Sequence, residues 1–244
     1  MKLLILAGGY GTRLYPLVKD IPKALLEVAG NSLIGHTLEK FRAVRNIDEV
    51  LVVTNAKFCD LLSSWAAKEQ AFPVRVINDG TKTPEERLGA MGDIAFVLEE
   101  IGMNSDLVVV GSDNLFDADL AAFFAAAASR KTSPTVGLYD ISNAGMASKY
   151  GVVQLDTQDK IISLEEKPEH PRSTLISMCL YYFPSSTLPQ IASFLQATGK
   201  TDTTGGYIQW LYKQIDVYGF KFGGRWYDIG SLESYAEAQD NFIK

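Results

Sequence analysis

The chain has 244 residues, 47% of them apolar and 21% charged, which is the composition of a soluble globular protein long enough to bury a core without staples. Its net charge of −6 argues against a nucleic-acid partner, because phosphate backbones are met by basic surfaces. A single nucleotide is not excluded, since it needs only a few local cations and backbone N–H groups.

The first apolar run, residues 2–7, opens like a signal peptide but stops at Gly8-Gly9, short of the roughly 7–15 apolar residues such a leader needs. It reads instead as a buried strand. Residues 33–44 read as a helix capped by Ser32, with Leu33, Thr37, Phe41 and Val44 along one stripe. Then follow a strand at 49–54, a helix at 58–68, a strand at 74–77, a helix at 88–101, a strand at 107–111, a helix at 118–129 and a strand at 135–141. The alanine-rich run 121–128 is expected to pack closely on the sheet. Alternating strands and helices predict an α/β fold, a mostly parallel, mixed central sheet with helices on both faces.

The pattern changes after Tyr150. Residues 151–155 and 160–165 predict a hairpin about the polar turn 156–159, and 175–183 a further strand. Helices are expected around 185–196 and 206–213. Residues 217–222 and 225–228, joined by Gly223-Gly224, predict a second hairpin, and Ser231 caps a last helix on which Leu232, Tyr235, Ala236, Gln239 and Phe242 recur. The longest apolar run, 120–128, is under half of the roughly 20 residues needed to cross a membrane. Cys59 and Cys179 form neither a disulfide framework nor a metal-ligand spacing. A cytoplasmic protein with no membrane partner is expected, and a homo-oligomer is compatible with this reading.

The first strand runs into Gly8-Gly9-Tyr10-Gly11-Thr12-Arg13-Leu14. Glycines let such a turn approach a ligand closely, and its N–H groups can cradle phosphate oxygens. A dinucleotide fingerprint fails for want of a third glycine and of an acidic residue after the second strand, which ends Val53-Thr54; a P-loop fails for want of Gly-Lys-Ser/Thr. A plain tight turn leaves unexplained the two cations delivered here, Arg13 and, after Pro22, Lys23. The segments Leu6-Ala7-Gly8-Gly9-Tyr10-Gly11-Thr12-Arg13-Leu14-Tyr15-Pro16-Leu17 and Pro22-Lys23-Ala24-Leu25-Leu26 together resemble the signature of the sugar-1-phosphate nucleotidyltransferases. The resemblance implies a Rossmann-like fold in which Leu6, Ala7, Gly8, Gly9, Gly11, Thr12 and Arg13 bind the nucleotide and Lys23 holds phosphates at the reacting centre.

Asp113 follows the strand 107–111 and Asp228 ends Arg225-Trp226-Tyr227-Asp228. Singly, each reads as a turn or cap residue. As a pair at two strand ends they can hold Mg²⁺, which takes one or two carboxylates plus substrate phosphates. The resemblance implies the same roles, from a Gly-Asp segment and a Trp-x-Asp-x-Gly segment, although Ser112 stands where glycine is usual. Leu164-Glu165-Glu166-Lys167-Pro168 resembles the family's Glu-Lys-Pro motif, implying that Lys167 meets the acceptor phosphate and Glu166 the acceptor sugar. Asn114 and Gly151 join that acceptor set. Cys179 takes a place commonly held by glycine.

For the base, the family uses a segment like Leu-Gly-Thr-Ala-Gly-Ala. This chain has Arg87-Leu88-Gly89-Ala90-Met91-Gly92-Asp93, so Arg87 and Gly89 are the nucleotide candidates, and Glu86 or Arg87 could read a base edge or serve only as helix-start charges. The glutamine common in pyrimidine-transferring relatives is missing, which favours CTP or GTP over a thymidine nucleotide. The expectation is a single nucleotidyltransferase domain over 1–244, with 1–141 serving the nucleotide and 142–244 the acceptor, and a catalytic domain alone. It would be a Mg²⁺-dependent enzyme moving a nucleoside monophosphate from a triphosphate to a sugar 1-phosphate, with Arg13, Lys23 and Lys167 catalytic. Two alternatives stand beside it: a cytidylyltransferase acting on phosphocholine or a phosphonate, and a nucleotide-binding regulatory subunit that no longer turns over.

Overall fold

The structure, a computed structural model, describes residues 1–242. Strand β1 (Lys2–Leu6) alternates its side chains, so that Leu4 enters the core on one face while Leu3 and Ile5 enter it on the other. After the glycine loop come a short hairpin, β2 (Glu27–Val28) and β3 (Asn31–Ser32), and helix α1 (Leu33–Phe41). The Ser32 hydroxyl caps α1 by accepting the Gly35 N–H at 3.1 Å. Next are β4 (Glu49–Thr54), α2 (Cys59–Ala66), β5 (Val74–Asn78), α3 (Ala90–Ile101), β6 (Leu107–Gly111), β7 (Asn114–Phe116), α4 (Ala121–Ser129) and β8 (Thr135–Asp140). The remainder comprises α5 (Ala144–Ala147), β9 (Gly151–Leu155), β10 (Ile161–Glu166), β11 (Leu175–Phe183), α6 (Pro189–Thr198), α7 (Thr204–Leu211), β12 (Tyr218–Phe222), β13 (Trp226–Asp228) and α8 (Leu232–Asn241).

A nine-stranded mixed sheet runs β10-β9-β11-β6-β1-β4-β5, with β8 on β11 and β12 on β8. The strands β6, β1, β4 and β5 are parallel, as the alternating pattern requires. Against one face pack α3, α6 and α7, through residues such as Val97, Phe194 and Tyr207. On the other lie α1, α2 and α4, through Phe41, Leu62 and Phe123. Among the described residues no helix is long and apolar enough to cross a membrane.

Strand β11 organises the junction. Along one edge it pairs with β8; along the other it meets β9 at Ile176↔Val152 and β6 over Leu180↔Val110 to Phe183↔Leu107. Its register breaks between Ser177 and Tyr181, where Cys179 takes a left-handed φ of 54°.

Three expectations are corrected. The segments 217–222 and 225–228 do not pair with each other. β12 joins β8 in parallel, while β13 leaves the main sheet to pair with β7. Phe222 is drawn into the Phe116–Phe123 cluster, and Asp117 binds the Arg225 N–H at 2.7 Å and its Nε at 3.0 Å, so the chain divides at Gly223-Gly224. The run 185–196 is a 3-10 turn (Ser185–Thr187) followed by α6. In α4 only Phe123 and Ala127 are buried, and Ala121, Ala122, Ala125 and Ala128 face outward.

Candidate active site

The glycine loop is held from behind. Thr54 Oγ1 donates to the Ala7 carbonyl at 3.2 Å and Asn55 Nδ2 to the Gly8 carbonyl at 3.0 Å. Tyr10 and Leu14 are buried on either side, whereas a Cβ on Gly9 would meet open space. Gly11 turns the chain with a φ of +62°, in contact range of Val18. Thr12 and Arg13 open a 3-10 turn and are left exposed. Two inward anchors and an outward glycine make the loop rigid behind and accessible in front.

Lys23 opens another 3-10 turn, and its Nζ lies 2.6 Å from Asp113 Oδ2. The β7–β13 pairing places Asp228 opposite Asn114, and the Ile229 N–H donates to the Asp113 carbonyl at 3.0 Å. The two aspartates of the sequence motif thus meet at one rim. Burial, and next the charge of Asp113, push the Asp228 carboxyl above the usual carboxylate range, while Lys23, Arg13 and Lys167 pull it back. Asp228 therefore feels each of the other four charged residues expected from the sequence.

Other aspartates are committed elsewhere. Asp106 accepts from Tyr182 Oη at 2.5 Å and the Ser185 N–H at 2.8 Å, and Asp117 holds Arg225. Asn114, an acceptor candidate, is 3% exposed and its Oδ1 accepts the Trp226 indole N–H at 2.7 Å. It lines the cleft but first fixes β7 on β13.

The cleft, of ≈ 740 Å³, runs from Arg13, Asp113 and Asp228 to Gly151, Glu166 and Lys167. Lys167 has a left-handed φ of 48°, with its N–H donating to the Tyr150 carbonyl at 2.9 Å. This turns an exposed Nζ to within 4.0 Å of Glu166 Oε1. Burial raises the Glu166 carboxyl above its ordinary value, and Lys167 opposes the shift. The Cys179 thiol is pushed up to about 12, by burial and then by Asp113's charge, so it stays protonated as a packing group.

The structure adds residues that sequence reasoning passed over. Helix α7 begins at Thr204, two residues earlier than expected, with Thr203 Oγ1 accepting the Gly206 N–H at 3.1 Å. A side chain at Gly205 would collide with Glu166. Tyr181 Oη links Ser177 at 3.0 Å to Thr204 at 2.8 Å, forming a buried hydroxyl chain at the cleft floor. The available signal was Thr203-Thr204-Gly205-Gly206, a capping residue followed by glycines in a first helical turn.

Arg87 is exposed and pairs with Asp202 at 3.7 Å, and Glu86 accepts the Lys82 N–H at 2.8 Å. Gly89 abuts the Thr201–Asp202 backbone, a contact that by itself demands glycine. His36 is spent on the Val28 carbonyl at 2.7 Å.

A nucleotidyl transferase family model matches residues 2–244, and the chain belongs to that family. The bifunctional protein GlmU of Methanocaldococcus jannaschii is 27% identical over 244 residues, covering 98% of this chain and 53% of its own. Its namesake in Methanococcus aeolicus is 27% identical over 252 residues, covering 100% and 55%. The chain thus spans about half the length of these curated relatives. A solved structure of UDP-glucose pyrophosphorylase with UDP-glucose aligns over 99% of this chain and 97% of its own, with a TM-score of 0.81 and 22% identity, a likeness of fold.

Proposed function

We propose that the protein transfers a nucleoside monophosphate from a nucleoside triphosphate to a sugar 1-phosphate, releasing pyrophosphate. The observation that carries this reading is the convergence of Arg13, Asp113, Asp228 and Lys167 along one cleft, with Lys23 held on Asp113. A phosphate monoester is already anionic near neutral pH, so its attack in line on the α-phosphorus needs no strong base. Positioning and charge neutralisation then carry the rate. Arg13 and Lys23 neutralise the triphosphate, Lys167 orients the acceptor phosphate and Glu166 receives acceptor hydroxyls.

The donor set fits Mg²⁺. Asp113 and Asp228 offer hard carboxylate oxygens at one rim, and no third His, Cys, Asp or Glu joins them among the described residues, which leaves the remaining positions to phosphates and water. When bound there, the ion would neutralise charge developing on the α-phosphate. CTP and GTP remain the favoured triphosphates, the reaction is assigned to the cytoplasm, and residues 1–141 and 142–244 are assigned to nucleotide and acceptor.

Pyrophosphate release tests this, with Mg²⁺ present, across a matrix of the common nucleoside triphosphates and phosphorylated acceptors. The acceptors should include glucose-, mannose- and glucosamine-1-phosphate, phosphocholine and aminoethylphosphonate. Release with a sugar-phosphate pair is expected. Release only with phosphocholine or the phosphonate would replace the acceptor class, and silence with bound nucleotide would favour a regulatory protein.

A further inference from the structure

A second group of charges lies outside the cleft, behind the glycine loop. Asp79 follows β5 directly and Asp93 stands in the first turn of α3. They are 9% and 6% exposed. Both reach Gly8, where a Cβ would lie 2.6 Å from Asp93 Oδ2 and 3.3 Å from Asp79 Oδ2. Gly8 is thus clamped between this pair and Asn55, which holds its carbonyl. Asp79 Oδ1 accepts from the Thr81 N–H and hydroxyl, each at 2.7 Å. Asp93 Oδ1 is buried without a partner, as is the Tyr10 hydroxyl on the loop itself.

The surroundings supply no compensating cation. Among the described residues no Lys, Arg or His pairs with either carboxylate, and Glu85 and Glu86 add negative charge near Tyr10. Arg87 and Asp202, from the segments packed at the start of α3, are matched to each other at 3.7 Å. A carboxylate buried beside a second one ionises only at a cost. Burial first, then Asp79's charge and hydrogen bond, push Asp93 up to about 7.

We propose that Asp79 and Asp93 share one proton beneath the glycine loop, that the singly charged pair holds Gly8 in the triphosphate-binding position, and that loss of the proton weakens nucleotide binding. This rests on the reading of the loop as the triphosphate site. A second negative charge behind an anion cradle repels the phosphates and forces the two carboxylates apart, moving Gly8 with them. Asp93 is therefore a positioning residue, not one that touches substrate.

Calorimetric binding of CTP and GTP should be measured on the wild type and Asp93→Asn from about pH 5.5 to 8.5. Asparagine keeps the shape, stays neutral and can still donate to Asp79. Wild-type affinity should fall roughly tenfold relative to that of the variant as pH rises above neutrality, as expected for loss of one linked proton. Equal pH profiles would overturn the proposal, because changes in the nucleotide's own ionisation affect both proteins alike. A carboxyl ¹³C titration needs no nucleotide. A midpoint near 7 is expected for the carboxyl whose signal disappears in Asp93→Asn, and a midpoint below about pH 5.5 for that carboxyl would refute the shared proton. If neither nucleotide bound at any pH, the coupling would fall together with the nucleotide reading, while the carboxyl titration would still decide the shared proton.

Discussion

Gly89→Ala isolates the contact that joins the start of α3 to the segment 201–203 at the edge of the cleft. Gly89 has φ 78° and ψ 164°, a region reserved for glycine, where another residue costs about 1–3 kcal/mol. Its new Cβ would lie 2.6 Å from the Thr201 carbonyl oxygen and 2.8 Å from Asp202 Cα. Both are backbone atoms that cannot rotate away, and overpacking of this kind costs a further ~1–3 kcal/mol. The sum, roughly 2–6 kcal/mol, rivals the whole stability of a weak domain. Gly80→Ala is the control. It has φ +83° and nothing within 4 Å of its Cβ, so it carries only a backbone cost of about 1–2 kcal/mol. Urea unfolding of the two variants gives the difference directly. Because Asp202 and Thr203 line the cleft, Gly89→Ala should also raise the acceptor KM more than the triphosphate KM. If Gly89→Ala were no less stable than Gly80→Ala, packing against 201–202 would not be the reason for glycine at this position.

Lys23→Ala or Asp113→Asn should slow turnover by about 10²–10³-fold, the usual loss for one preorganised electrostatic group, with circular dichroism unchanged; an unaltered rate would remove that residue from the chemistry. Chelation of divalent ions should abolish pyrophosphate release and added Mg²⁺ restore it, and persistence in excess chelator would contradict the Asp113–Asp228 assignment. Asp93, raised from 3.8 to about 7, contributes stability below about pH 4 that is lost as pH rises through 7. At ~1.4 kcal/mol per unit, Asp93→Asn should therefore gain on the wild type by up to about 4 kcal/mol over that window, and a pH-independent difference in urea unfolding would sink the idea. Cys179→Gly relieves a left-handed backbone at about 1–2 kcal/mol and loses the packing of a partly buried thiol, so stability should hardly change while the acceptor KM shifts. A shift confined to the triphosphate KM would place Cys179 at the wrong end of the cleft.

The strands were legible because β-branched runs with turn residues at their ends carry a local signal: 49–54, 107–111 and 175–183 match β4, β6 and β11 to the residue. What failed was non-local. Gly223-Gly224 between two short apolar runs looks like a hairpin, and only Asp117 and Phe116, over a hundred residues earlier, divert the strands to different partners. The start of α7 was missed because Thr204-Gly205-Gly206 has poor helix propensity, yet the bare Gly205 is what lets the Glu166 carboxylate lie against this turn. Asp93 was not singled out, since nothing in sequence announces that Asp79 and Gly8 lie against it.

The topology explains why motifs so far apart act in one cleft. β6 ends at Gly111, just before Asp113; β9 begins at Gly151, and its partner β10 ends at Glu166. β6 and β9 lie on the same edge of β11, and the registers Leu180↔Val110 and Ile176↔Val152 bring Gly111 and Gly151 against Cys179 and Ser177. On its other edge, against β8, β11 breaks register between Ser177 and Tyr181, with Cys179 left-handed inside the break. The same stretch, Ser177 to Cys179, lines the cleft, and a phosphorylated acceptor lying there would face Lys167 at one end and the Asp113–Asp228 rim at the other.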